Sequence, residues 1–176
     1  AIRLSKSPPQ KSIGQAGTSP RKTVVSMVVT TPRHSPDHIA LYEPEQGWLF
    51  SGDAYIGGRD RAARPDYGMR AIVQSLRTLA ALDVATLCPG SGTVRQNHPS
   101  EDIARKADQL EELGQQVLTL HAQGLSTARI RDRLLGRESR LYYMTLGHFS
   151  GVHLVELFLN PEQSDGSADQ SASRDR

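Results

Sequence analysis

Thr31-Pro32-Arg33-His34-Ser35-Pro36-Asp37-His38, followed by Ser51-Gly52-Asp53 and later by Pro89-Gly90-Ser91-Gly92, is the stretch on which the fold turns. It sets a histidine on a Pro-flanked turn and an aspartate at a strand end, each beside a Gly- or Pro-rich break. Metal ligands are often carried this way, because loops at strand ends can aim side chains at one point while the sheet behind holds them still. His34 suits a terminal ligand and Asp53 a carboxylate bridging two ions. Plainer roles compete: a turn histidine bonded to its own loop, and a cap or Asx-turn aspartate after Gly52.

Outward from these turns the pattern is that of an α/β domain. Val24–Thr30 is a continuous β-branched run, which predicts a strand buried on both faces. His38–Tyr42 and Trp48–Ser51 flank Glu43-Pro44-Glu45-Gln46-Gly47, a link of hairpin length. A polar loop opens at Gly57-Gly58-Arg59-Asp60-Arg61 and runs to Asp66. From Gly68 the period becomes helical, with Met69, Ile72, Val73, Leu76, Leu79 and Ala80 on one face. Val84–Cys88 is a short strand ended by Pro89-Gly90, so strand, helix and strand alternate and layer. Ser100 is the expected cap of a long helix with the stripe Ile103, Ala107, Leu110, Leu113, Val117 and Leu120, stopping at Gly124. Ser126 caps a shorter helix carrying Ile130, Leu134 and Leu135, and Ser150 opens a last one through Leu159.

TPRHSPDHIALYEPEQGWLFSGDAYIGG, with LCPGSGTV downstream, closely resembles the C-terminal half of the metallo-β-lactamase superfamily of hydrolases. Within it, the glyoxalase II-like and lactamase-β-2-like branch with an added helical tail is the nearest in pattern, over residues 24–160. Members show T-P-G-H-S-P/T-x-H, then S-G-D, then F-P-G-H-G. The resemblance implies an αββα sandwich of two related halves, holding one or two zinc ions at the rim between the sheets. It further implies hydrolysis of an ester, thioester, lactam or phosphodiester by metal-bound hydroxide. On it, His34 becomes a ligand of the first metal and Asp53 the bridging ligand.

The departures matter as much. The family's last ligand histidine falls on Ser91, whose hydroxyl stays protonated near neutral pH and is short beside an imidazole. Arg33 replaces the usual glycine next to His34, bringing a guanidinium toward a cation site. The family's H-x-H-x-D-H motif has no counterpart in residues 1–30, which contain no histidine. Two ligands do not make a catalytic zinc site. The expectation is therefore a truncated, degenerate hydrolase, weakly active or inactive alone, in which zinc binding is doubtful. The alternative is an active zinc enzyme completed by a missing N-terminal half.

Other histidines read as structural or solvated: His38 as a loop builder, His98 at a helix start, His121 in a last helical turn and His153 on a helix surface. Leu141–Phe149 resembles part of the helical tail that walls the substrate cleft in relatives, which makes Tyr143 and His148 candidate substrate-binding residues. Core packing is the competing role, because the segment is aromatic and apolar and built to bury. Cys88, at a strand end, reads as a small core residue. Gly124–Gly136, with Arg129, Arg131 and Arg133, looks like the first helix of a helix-turn-helix or winged-helix-like appendage, and a non-catalytic binding module is a third reading.

The bulk numbers narrow the rest. A chain of 176 residues has room for one domain and a small helical appendage. A formal charge of +2 does not by itself imply nucleic acid. One cysteine excludes an internal disulfide and fits a reducing, cytoplasmic setting. No apolar run approaches the roughly 18 residues a membrane span needs. The chain begins at Ala1 without an initiator Met, as a fragment or processed product would. Residues 1–23, basic and free of acid, read as a disordered arm or else an organelle-targeting segment. Residues 24–98 then form a partial metallo-β-lactamase domain, 99–160 a helical C-terminal region and 161–176 a disordered tail. Half a sandwich would expose an apolar sheet face, so self-association is expected.

Overall fold

The computed structural model describes residues 27–31 and 38–160. Among these, four strands form one sheet in the order β1-β2-β3-β4: β1 Met27–Thr30, β2 Ile39–Glu43, β3 Trp48–Gly52 and β4 Thr86–Pro89. β1, β2 and β3 run antiparallel in sequence, and β4 lies parallel to β3. The connection between that parallel pair contains α1, Met69–Ala80. A long helix α2 (Pro99–Ala122) and three shorter ones follow: α3 (Thr127–Leu134), α4 (Arg140–Met144) and α5 (Gly151–Leu159).

The hairpin forms where Pro44 and Gly47 allow a tight reversal. The Glu43 carboxylate accepts the backbone N–H groups of Glu45 at 3.1 Å and Gln46 at 2.7 Å, satisfying donors the turn would otherwise leave open. The Gly47 carbonyl then accepts from the N–H groups of Ala85 (2.8 Å) and Thr86 (3.0 Å), which docks β4 beside β3.

Strand alternation sorts side chains onto two unlike faces. Val29, Ala40, Tyr42, Leu49 and Leu87 point inward and are buried with Ile72, Leu76 and Leu79 of α1 and Ile103, Ala107 and Leu110 of α2. Each fully buried aliphatic side chain there contributes about 1.5–3 kcal/mol. The other face carries Ile39, Leu41, Trp48 and Phe50, which are 47%, 39%, 44% and 46% exposed. No described element covers it. A second, smaller core of Val117, Leu120, Ile130 and Val155 joins the end of α2 to α3 and α5. The loop after β3 is stitched to this tail. Ala63 and Ser150 exchange backbone hydrogen bonds at 3.0 and 3.1 Å, and the Arg61 guanidinium donates to the Leu135 carbonyl.

The fold is thus an α/β domain with one incomplete sheet followed by helices, and three local expectations need correction. The first strand is not buried on both faces: β1 has one strand neighbour, Val28 is half-buried and Thr30 exposed, because nothing described covers its outward side. Ser100 is not the cap of α2. His98 is, followed by Pro99 in the first turn, and the Ser100 hydroxyl instead donates to the Leu82 carbonyl at 2.9 Å. Leu141–Phe149 does not bury. α4 has no buried residue, and Tyr143, Met144 and Leu146 are 71%, 80% and 97% exposed. A five-residue helix cannot turn all its apolar side chains onto one face, so the segment anchors mainly through Phe149, edge-on to Tyr67 at 6.3 Å.

Candidate functional site

Parallel pairing of β3 and β4 sends both of their carboxyl ends to one edge of the sheet, where α/β proteins commonly place their sites. At that edge Gly52 takes a left-handed backbone (φ +51°), and Asp53 follows it out of the strand. The Gly90 N–H donates to the Gly52 carbonyl at 2.9 Å, locking the second turn against the first. A Cβ at Gly90 would lie 3.0 Å from Asp53 Oδ1 and 3.0 Å from the Gly52 carbonyl carbon, so any larger residue would push the two turns apart by a few tenths of an ångström. Asp53 and the Gly90–Ser91 turn are brought together. Ser91 itself is exposed, at the mouth of a cleft of about 280 Å³ lined also by Tyr55, Ile56, Gly57, Pro89 and Arg95.

His38 closes the third side of this edge. Its Nδ1 lies 2.8 Å from the Thr31 hydroxyl and its backbone carbonyl accepts the Thr31 N–H at 2.8 Å, so His38 is tied directly to Thr31. Its ring lies over Gly52, with Nε2 3.0 Å from where a Cβ would be. These contacts hold His38 between Thr31 and Gly52. His34 and Arg33 lie outside the described residues.

Zinc in a hydrolytic centre takes at least three protein ligands at about 2.0–2.3 Å. Among the described residues no group of three or more His, Cys, Asp and Glu side chains could hold a metal ion. Asp53 with Ser91 in the adjoining turn is not such a donor set, so the described residues by themselves do not fit zinc. The remaining histidines are elsewhere. The His98 side chain is 77% exposed and 3.3 Å from Glu101, while His153 lies 3.3 Å from Glu156 on α5. Cys88 is half-buried beside Phe50 on the uncovered sheet face.

Tyr143 and His148 stand apart from this edge. Tyr143 lines an open cleft of about 710 Å³ with Arg131, Arg137, Tyr142 and His153, none of which lines the cleft beside Ser91. His148 is exposed and stacks edge-on against Phe149 at 5.9 Å. Two features of the region escaped the sequence reading. Arg95 lies over the Tyr55 ring at 5.7 Å, and Lys106 is 4% exposed, its ammonium 2.7 Å from Asp60 and from the Gly58 carbonyl. The signal for Lys106 was its place in the stripe Ile103–Lys106–Ala107–Leu110, a lysine on the buried face of an amphipathic helix.

Residues 5–91 match the sequence profile of the family described as metallo-beta-lactamase superfamily. That match, over just under half of the chain, supports general metallo-beta-lactamase superfamily membership. It is 30% identical over 123 residues to thioesterase pkgB of Emericella nidulans, covering 68% of this chain and 35% of that protein. Among solved structures, a beta-lactamase domain protein from Burkholderia ambifaria superposes with a TM-score of 0.55 at 22% identity, over 88% of this chain and 48% of that one. A double mutant of the sec-alkyl sulfatase PisA1 does so with a TM-score of 0.52 at 14% identity, over 83% and 26%. These likenesses show the fold. The chain spans about a third of the length of the curated relative it matches. Among its described residues, this superfamily member is poor in metal ligands where the turns converge.

Proposed function

We propose that this chain is the C-terminal half of a metallo-beta-lactamase-type hydrolase of the glyoxalase II-like and lactamase-β-2-like branch, weakly active or inactive by itself. Its ancestral substrate class is an ester or thioester. The observation that carries the reading is the convergence of Asp53 with Gly90–Ser91 at the carboxyl ends of β3 and β4, with serine where the family pattern has histidine. The thioester preference is supported by the thioesterase to which the chain is similar. In this reading His34 and Asp53 are surviving metal positions, Ser91 is a lost one, and Tyr143 and His148 belong to the tail that would wall the substrate cleft.

Zinc content and zinc affinity of the purified chain, beside a Ser91→His variant, test it. The unmodified chain is expected to carry well under one zinc per molecule and to hydrolyse an aryl thioester no faster than a zinc blank. Ser91→His, adding an imidazole next to Asp53, should tighten zinc measurably. Tight stoichiometric zinc in the unmodified protein would sink the proposal.

A second reading, an active zinc enzyme completed by a further polypeptide segment, is favoured by the uncovered apolar face carrying Ile39, Leu41, Trp48 and Phe50. Nothing comparable favours a helix-turn-helix module: α4, at five residues, is short for a helix that must reach base edges.

A further inference from the structure

A further cavity, of about 200 Å³, lies between the loop after β3 and the first turns of α2, and shares Tyr55 and Arg95 with the cleft at Ser91. Four cationic side chains line it: Arg59, Arg95, Arg105 and Lys106. Two carboxylates answer them, and both are committed. Asp102 is shared between Arg95 at 2.9 Å and Arg105 at 2.7 Å, and Asp60 holds the Lys106 ammonium at 2.7 Å. Arg59 is exposed and makes no ion pair among the described residues.

Lys106 adds an independent observation. An ammonium carries three N–H donors. Two go to Asp60 and Gly58, and the third has no acceptor among the described residues, although the side chain is 4% exposed. Asp60 and Asp102 offset two of the four positive charges, and the two left over favour a further anion beside them. The surplus of cations over carboxylates matches the charge of about −1.5 to −2 on a phosphate monoester near neutral pH. Planar guanidinium forks and a point-like ammonium are also the donors that phosphate oxygens accept best.

We propose that this cavity binds a phosphate group, on a ligand whose remainder extends past Tyr55 and Arg95 into the cleft at Ser91. The site rests on the cavity and its charges, and stands whether or not the chain hydrolyses anything. The phosphate can be free or borne by a carrier, and the probes separate the two. Calorimetric titration of the full chain at low ionic strength should detect binding of inorganic pyrophosphate, coenzyme A or both, weakening as salt is raised. Coenzyme A binding more tightly than pyrophosphate, with pantetheine silent, identifies a carrier-borne phosphate. Pyrophosphate binding at least as tightly as coenzyme A identifies a free one. Either result upholds the site, provided that an Arg59→Ala/Arg105→Ala variant, altered at exposed positions and folded by circular dichroism, binds at least about tenfold more weakly. Failure of both probes to bind the unmodified chain, or undiminished binding by the folded variant, overturns it.

Discussion

Gly90 is the residue on which the geometry of the edge depends. Its missing Cβ is what allows a backbone hydrogen bond of 2.9 Å to Gly52 with Asp53 Oδ1 packed alongside. An alanine there would meet two rigid backbone atoms of Gly52 as well as the carboxylate. Gly90→Ala should therefore destabilise the chain by about 1 kcal/mol, because the added methyl meets backbone that must shift although the residue itself is exposed. Urea denaturation measures it, and an unchanged midpoint would mean that the two turns are not locked. Residues at this scale were partly legible. Asp53 announced itself by the Ser51-Gly52-Asp53 pattern at a strand end. Lys106 and Arg95 did not, because their meaning lies in Asp60, Gly58 and Tyr55, which only folding brings beside them.

Among the elements, α5 shows how a helix start is anchored by a distant part of the chain. The Ser150 hydroxyl accepts the Val152 N–H at 3.0 Å and donates to Glu138 Oε1 at 2.7 Å, while Glu138 Oε2 accepts the Gly151 N–H at 3.0 Å. Burial pushes the Glu138 carboxyl up. The Gly151 N–H, the Ser150 hydroxyl and Arg131, 3.1 Å away, outweigh it and hold the group below its ordinary value near 4.5. A carboxylate whose pKa is depressed by folding adds stability that is present above the unfolded value and lost as pH falls through the folded one. Stability of α5 docking should accordingly fall as pH drops below about 4.5. Glu138→Gln should remove about 1.5–3 kcal/mol at neutral pH, the range for a charge-assisted hydrogen bond, and flatten that acid limb. Thermal melts of both proteins across the acid range check it; parallel pH profiles would refute the assignment. Helix spans were legible from period and from stops such as Gly124. The cap of α2 and the fate of Leu141–Phe149 were not, since a hydroxyl chooses among nearby acceptors and a short apolar segment buries only if a surface is there to receive it.

For the whole molecule the governing fact is a sheet that the described elements cover on one face. α1 and α2 bury the inward row, whereas the outward row of Ile39, Leu41, Trp48 and Phe50 meets no described element. Contiguous apolar surface of this kind drives association. The purified chain should self-associate in a concentration-dependent way. A Leu41→Lys/Phe50→Lys variant should associate less with little change in unfolding midpoint, because both side chains are about two-fifths exposed or more. Light scattering with thermal unfolding decides it: a monodisperse unmodified monomer would count against the idea.

Alternation and period in the sequence by themselves determined the class of the fold, the hairpin and the strand–helix–strand order, because these are short-range properties read along one chain; the pattern at Asp53 and Ser91 came from resemblance to a family motif. Tertiary structure alone decided which sheet face is covered and how closely Gly90 approaches Asp53. It also decided that Lys106 is buried among arginines and that Tyr143 opens onto a different cleft. Those outcomes depend on contacts between segments far apart in sequence, where burial, charge and close approach are set by whichever partner the fold delivers.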